Sequence, residues 1–298
     1  MTAPMADPGG PVRFERRGCA GLLTLDAPPL NVLSARVLDA LVSRIHEAAL
    51  VPQVRALVLA SAAENAFAAG ADIREMAPMG PGEALGHGSR GQAATLSIEQ
   101  LPLPVIAAVH GACLGGGCEI ALACDFVLAS EDARFGQPEI LLGVMPGWGG
   151  TQRLPRRIGA TRARDWILRG RSVTAQEAFE AGFVHAVVPR GDLVSSALTL
   201  AEELGARSAT ALASAKRAVN HALHPEGTAG LAVELDLWHR LFGTADQREG
   251  MAAFLEKRRW TPATRELRFP KPEVPSTASA PGAGSPSRGR RSRGKAKT

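Results

Sequence analysis

The stretch from Val105 to Glu119 constrains this chain more than any other. Val105-Ile106-Ala107-Ala108-Val109 is a continuous apolar run of strand type, as expected for a strand buried on both faces. Gly111-Ala112-Cys113-Leu114-Gly115-Gly116-Gly117 follows. Glu119-Ile120-Ala121-Leu122-Ala123-Cys124 then reads as a short buried helix. Such a chain passes from strand through a turn poor in side chains into a helix, and carries one carboxylate into apolar surroundings. Three successive glycines cost backbone entropy and contribute no packing, so they make sense where a backbone or a ligand must come close. Amides at a helix start also present partial positive charge to an anion. Further along, Phe135-Gly136-Gln137-Pro138-Glu139 supplies a second carboxylate behind a glycine. The two stretches together suggest a place where negative charge develops and a proton moves. A Gly-Gly-Gly run by itself also marks ordinary tight turns.

The rest of the chain alternates strands and helices. Val12 to Arg16 and Cys19 to Leu25 read as strands joined at Arg17-Gly18, and Asp26-Ala27-Pro28-Pro29 breaks the pattern. Ser34 caps a predicted helix to about Ala49, with Val37, Leu38, Leu41, Val42 and Ile45 on one face. Val54 to Ala60 is a third strand. Around Gly70, the small residues of Ala66 to Asp72 make a second place where main-chain N–H groups could face a ligand, with a helix expected next. Residues 78–91 hold five glycines and two prolines, which predicts a flexible loop. Phe126 to Ala129 and Ala133 to Gly136 are further strands, and Pro138 suits the first turn of a helix. Gly143 to Gly150 is a second glycine-rich turn. Thr174-Ala175-Gln176-Glu177 is a capping box for a helix to Ala181, and Val184 to Val188 is a last strand. Segments 192–205, 209–223, 229–242 and 245–258 read as amphipathic helices. The expected organisation is an α/β core over 11–190, a helical region over 191–269 and a tail over 270–298.

Charge needs dividing before it is read. The whole chain of 298 residues carries +5, yet the segment from Pro270 holds seven basic residues against one acid. Residues 1–269 are left near neutral, so composition gives no reason to call the folded part a nucleic-acid binder. Aromatics are 4% of the chain, with no tyrosine, so a base-stacking surface is poorly supplied. From Pro270 onward proline, serine, glycine and basic residues replace apolar periodicity, which predicts disorder. No apolar run approaches the ~20 residues that span a bilayer. The first residues lack the basic start and apolar stretch of a secretory signal. A cytoplasmic protein is expected. Cys19, Cys113, Cys118 and Cys124 show neither zinc-ligand spacing nor a Cys-x-x-Cys pair, and read as free thiols.

Five motifs in order resemble the enoyl-CoA hydratase/isomerase (crotonase) superfamily, and within it the enoyl-CoA hydratases. They are Ala66-Phe67-x-x-Gly70-Ala71-Asp72, Val109-His110-Gly111-x-x-x-Gly115-Gly116-Gly117-x-Glu119, Phe135-Gly136-x-Pro138-Glu139, Pro146-Gly147-Trp148-Gly149-Gly150-Thr151, and Phe254-x-Glu256-Lys257-Arg258. The resemblance spans roughly residues 11–260. It implies a crotonase-like spiral of ββα units, a C-terminal helical region that trimerises, and a homotrimer or homohexamer. It also implies that the main-chain N–H groups of Ala71 and Gly116 form an oxyanion hole for the thioester oxygen of an acyl-CoA. Glu119 and Glu139 stand at the positions of the hydratases' acid and base. Asp72, Ile73, Arg74, Gly147, Trp148, Phe254 and Lys257 fall where the family meets the acyl-CoA. No metal and no separate cofactor is implied, coenzyme A being part of the substrate.

Both glutamates are present, which favours hydration over the alternatives on the same fold, double-bond isomerisation or acyl-CoA decarboxylation. A more distant alternative is a polyanion-binding protein acting through the basic tail. His110 stands where asparagine is frequent in the family and is expected to hydrogen-bond within the turn. Trp148 stands where small residues also occur; it either reshapes the acyl pocket or only packs. Asn31, after Pro28-Pro29-Leu30, is accounted for by turn chemistry.

Overall fold

The computed structural model describes residues 10–222 together with Ala245, Glu256, Arg258 and Arg259. The helices expected at 229–242 and 245–258, the tail from Pro270, and Phe254 and Lys257 lie outside the described residues.

β1 (Val12–Arg17) and β2 (Ala20–Leu25) form an antiparallel hairpin turning at Gly18. Ser34 accepts a hydrogen bond from the Val37 N–H at the start of α1 (Ala35–Ala49), which buries Val37, Leu38, Leu41 and Ile45. A unit of two strands and a following helix then recurs. The first copy is β3 (Ala56–Ser61), β4 (Ala66–Ala68), the short α2 (Ile73–Met76) and α3 (Pro81–Glu99). The second is β5 (Val105–Val109), β6 (Ala112–Leu114) and α4 (Gly116–Ala123). The third is β7 (Phe126–Ser130), β8 (Arg134–Gly136), a 3-10 helix at Pro138–Leu142 and α5 (Gly150–Ile158). α6 (Ala160–Arg169), β9 (Ser172–Thr174), α7 (Ala175–Glu180), β10 (Ala186–Val188), α8 (Leu193–Gly205) and α9 (Ala209–Ala222) complete the described chain.

The first strand of each unit enters a six-stranded sheet of order β1-β2-β3-β5-β7-β10, and the second enters a four-stranded sheet of order β4-β6-β8-β9. Side chains on a strand alternate between faces, and the burial here follows that rule. Leu57 and Leu59 of β3, with Val105, Ala107 and Val109 of β5, join the larger core with α1 and α4. Ala56, Val58, Ala60, Ile106 and Ala108 point the other way and pack under Leu193, Ala197 and Ala201 of α8.

Three expectations need correction. Residues 78–91 are not a loop: α3 begins at Pro81, and the Glu83 side chain accepts from the Gly80 N–H at 2.9 Å. Ala94, Thr95 and Ile98 are wholly buried on one face of that helix. Tertiary packing outweighs the poor helix propensity of its glycines. The stretch after Gly111 is not turn throughout, because Ala112–Leu114 pairs with both β4 and β8. Pro138 starts a 3-10 helix, ended by Gly143 in the left-handed region, φ 77°.

Asn31 does more than shape a turn. It is fully buried at φ 49°. Its Oδ1 accepts from the Ala27 N–H at 2.8 Å, while Nδ2 donates to Ser61 Oγ at 2.7 Å and the Phe67 carbonyl at 3.0 Å. It therefore ties the end of β2 to β3 and β4, the strand that leads into Gly70 and Ala71. Asn31→Ala removes these bonds and leaves buried polar partners unmet, so it should lower unfolding stability by about 3 kcal/mol. Urea denaturation checks this.

Candidate active site

The turn between β5 and β6 places the first carboxylate. At Gly111 (φ 56°) an added Cβ would stand 2.2 Å from the Asn65 carbonyl oxygen, so no side chain fits. Gly115 (φ 52°) then redirects the chain, its N–H donating to the Gly136 carbonyl at 2.9 Å, and α4 starts at Gly116. A Cβ at Gly117 would stand 2.2 Å from the Ala68 carbonyl oxygen, so α4 lies directly on β4. The Gly116 N–H, at the first position of the helix, has no intrahelical acceptor.

Ala71 bridges to Leu33, but the bond that carries the bridge uses the Gly70 carbonyl (Leu33 N to Gly70 O, 2.8 Å) and not the Ala71 amide. A Cβ built on Gly70 would lie 3.6 Å from the Gly116 nitrogen. The two segments proposed for the oxyanion hole therefore come side by side.

Glu119 is 2% exposed. Its Oε1 accepts from the Trp148 and Gly150 N–H groups, both at 2.7 Å, and its Oε2 takes no hydrogen bond among the described residues. Gly149 (φ 111°) makes the bend that aims both amides at one oxygen. Burial pushes the carboxyl up; the Gly150 and Trp148 amides and the Arg153 guanidinium oppose that rise. Arg153 also donates to the Trp148 carbonyl at 2.9 Å and pairs with Glu99 at 2.5 Å.

Glu139 is in the opposite condition. The residue is half-buried, but both carboxylate oxygens are enclosed and neither hydrogen-bonds another side chain or main-chain group among the described residues. Burial raises its pKa from 4.5 to about 7, and the nearby Glu119 adds to the rise. A Cβ on Gly115 would lie 3.2 Å from Glu139 Oε1, so the turn leading to the first carboxylate also borders the second. One carboxylate is gripped by two amides of the Trp148 turn and the other is not, and such unequal surroundings are what an acid and a base of the same residue type require.

The remaining expected residues divide. Trp148 is buried, and its indole faces Gly116. The Gly147 carbonyl accepts from Gln92 at 3.0 Å. Asp72 caps α2, accepting from the Arg74 N–H at 2.9 Å. Ile73 is 49% exposed and Arg74 is exposed, both outside the buried cluster. His110 hydrogen-bonds the Ala63 carbonyl through Nε2 at 2.7 Å, so it reaches across to the connection between β3 and β4 and not, as expected, to a partner within its own turn. Cys113, Cys118 and Cys124 are buried free thiols, and Cys19 is half-buried. Among the described residues, no group of three acidic, histidine or cysteine side chains could hold a metal ion, and no helix is long and apolar enough to cross a membrane.

The sequence reading missed α3 as a wall of the site. Gln92 and Thr95 bond the carbonyls of Gly147 and Trp148, the latter at 2.9 Å. His87 lies against the Trp148 ring, centroids 5.6 Å apart. The spacing of His87, Gly91, Ala94, Thr95 and Ile98 is helical, and this signal could have shown the wall.

Repeated ββα units that send their first strands to one sheet and their second strands to another, with the second strand of each leading into the site, define the crotonase fold. The chain belongs to the enoyl-CoA hydratase/isomerase family, whose model matches residues 15–263. It is 44% identical over 248 residues to the Mycobacterium bovis protein named "Probable enoyl-CoA hydratase echA8", covering 83% of this chain and 95% of that one. A Rhizobium meliloti protein named "Probable enoyl-CoA hydratase" is 45% identical over 246 residues, 82% of this chain and 95% of its own. Among solved structures, the enoyl-CoA hydratase of Bacillus anthracis superposes with a TM-score of 0.80 at 37% identity, covering 86% of this chain and 99% of that one.

The bare carboxylate at Glu139 has a consequence for stability. Its folded-state pKa lies above its ordinary value, so the proton it holds favours the folded chain at low pH. That contribution is lost as pH rises from about 4.5 to about 7. Glu139→Gln, which cannot ionise, should be more stable than the native chain at pH 8 by about 1–2 kcal/mol after allowance for solvent screening, and equal to it near pH 4. Denaturant titrations at the two pH values check this.

Proposed function

We propose that the protein adds water reversibly across the 2,3 double bond of a 2-enoyl-CoA thioester. The observation that carries this reading is the unequal pair of buried carboxylates beside two main-chain amides. The thioester oxygen accepts from the N–H groups of Ala71 and Gly116. A water between the glutamates gives its proton to the free Oε2 of Glu119 while its oxygen bonds to C3. The displaced electron pair passes through C2 to the thioester oxygen, where the two amides stabilise the enolate-like charge. Glu139, protonated below about pH 7, delivers its proton to C2 as the carbonyl reforms. Proton exchange with solvent then restores both groups. Glu119 can act as base because its Oε1 is already committed to two amides, which fixes the carboxylate and leaves one oxygen for water.

The reaction needs no cofactor beyond the coenzyme A of the substrate. Asp72, Ile73 and Arg74, with Phe254 and Lys257, are assigned to the coenzyme A moiety; an exposed guanidinium on α2 suits a phosphate. The working form is a homotrimer, or a dimer of trimers, in the cytoplasm. Leu141, Met145 and Leu168, each at least 65% exposed on a single chain, support an assembly that covers them.

Hydration is read directly from loss of the conjugated-thioester ultraviolet absorbance of 2-butenoyl-CoA. The native chain should remove it, and Glu119→Gln and Glu139→Gln should each lower kcat by roughly 10²–10⁴. The native kcat should decline as pH rises through about 7, where Glu139 loses the proton it donates. An isomerase would instead leave the Glu119→Gln variant substantially active. No change in absorbance with any 2-enoyl-CoA rejects hydration.

A further inference from the structure

We infer that the Trp148 indole closes the far end of the acyl pocket and restricts the protein to 2-enoyl-CoA thioesters with short, unbranched acyl groups. This rests on the acyl-CoA reading above and specifies which acyl groups the same site accepts.

Two fixed points locate the substrate. Its thioester oxygen lies at the Gly116 N–H, and C3 must come within one water of Glu119 Oε2. Trp148 adjoins both points. Its N–H holds Glu119 Oε1 at 2.7 Å, and the benzo edge of its ring lies on the bare Cα of Gly116. A Cβ there would stand 2.2 Å from Cζ3 and 2.6 Å from Cε3. An acyl chain held by the oxygen at one end and extending past C3 therefore runs toward the indole.

The ring has no room to withdraw. Its other side lies flat on α3 at Gly91, where a Cβ would stand 2.2 Å from Cδ2, Cε2 and Nε1 alike. His87 sits beside it. The main chain of Trp148 is held as well, its carbonyl accepting from Thr95 Oγ1 at 2.9 Å and from Arg153 at 2.9 Å. Swinging the indole aside would strain the same residue whose amide holds the catalytic carboxylate. The residue is 4% exposed, so the space between Gly91 and Gly116 is filled. A fixed aromatic wall beside Gly116 and Glu119 accepts a terminal methyl and rejects long or aryl acyl groups. Each methylene added to a closed apolar pocket changes selectivity by roughly 10–200-fold.

Binding separates this inference from the chemistry. Butanoyl-CoA and octanoyl-CoA, which cannot be hydrated, are titrated calorimetrically against the full chain, Trp148→Phe and Trp148→Ala. The coenzyme A contribution cancels in the ratio of the two dissociation constants. The native chain should bind octanoyl-CoA at least about tenfold more weakly than butanoyl-CoA. Trp148→Ala should reverse or abolish that preference, and Trp148→Phe should fall between. Should Trp148→Ala not fold, as judged by circular dichroism, the shift in Trp148→Phe decides alone. Equal binding of both thioesters by the native chain, or a ratio unmoved by the substitutions, overturns the inference. Hydration of 2-butenoyl-CoA by the native chain is scored separately. Turnover with an unmoved ratio rejects the wall and keeps the hydratase; a shifted ratio without turnover does the reverse.

Discussion

Holding a carboxylate in the apolar interior is the demand to which the rest of this structure answers. An unpaired buried charge is strongly unfavourable, and Glu119 is nearly inaccessible to water. Two amides on one oxygen, with a guanidinium behind the turn, oppose that cost. Those amides belong to residues 148 and 150, which α3 and Arg153 hold in turn through the Trp148 carbonyl. Removing the turn would leave the charge exposed to an apolar core. Removing the charge would leave two amides unmet.

The glycines follow from the same demand. α4 must start close enough to β4 for its first amide to reach the neighbourhood of Gly70, and a side chain at Gly117, whose Cβ would stand 2.2 Å from the Ala68 carbonyl oxygen, would keep the segments apart. The spiral brings β4, β6 and β8 side by side in one short sheet, so each strand ends next to the others' turns. The Ala71 and Gly116 segments and the two carboxylates, far apart in sequence, meet because each follows a strand of that sheet. Glu139 lacks the pair of amides that the Trp148 turn gives Glu119, and the proposed division into acid and base rests on this inequality.

Much of this was legible in the sequence. The buried strand Val105–Val109, the glycine run, the capping of α1 by Ser34 and of α7 by Thr174 depend on local chemistry, and local chemistry appears in residue order. The carboxylate pair was visible as residues but not as an unequal pair, since the Glu119 partners come from a turn beyond Glu139. α3 was misread because its glycines look like loop when counted by composition. Its helix is sustained by the buried face of Ala94, Thr95 and Ile98 against neighbours that propensity does not see. Asn31 was underestimated for a similar reason, its partners Ser61 and Phe67 being remote in sequence. Trp148 could not be assigned from sequence because whether an indole packs or blocks depends on the two glycines it lies between.

The division of roles between the two glutamates is the central claim, and the protonation of Glu139 tests it most directly. Infrared difference spectra, native chain against Glu139→Gln over a pH series, isolate the protonated-carboxyl stretch of that one side chain. The account predicts a band present at pH 6 that disappears with a midpoint near 7. A band already lost around the ordinary carboxyl value of 4.5, as for an exposed glutamate, would contradict it.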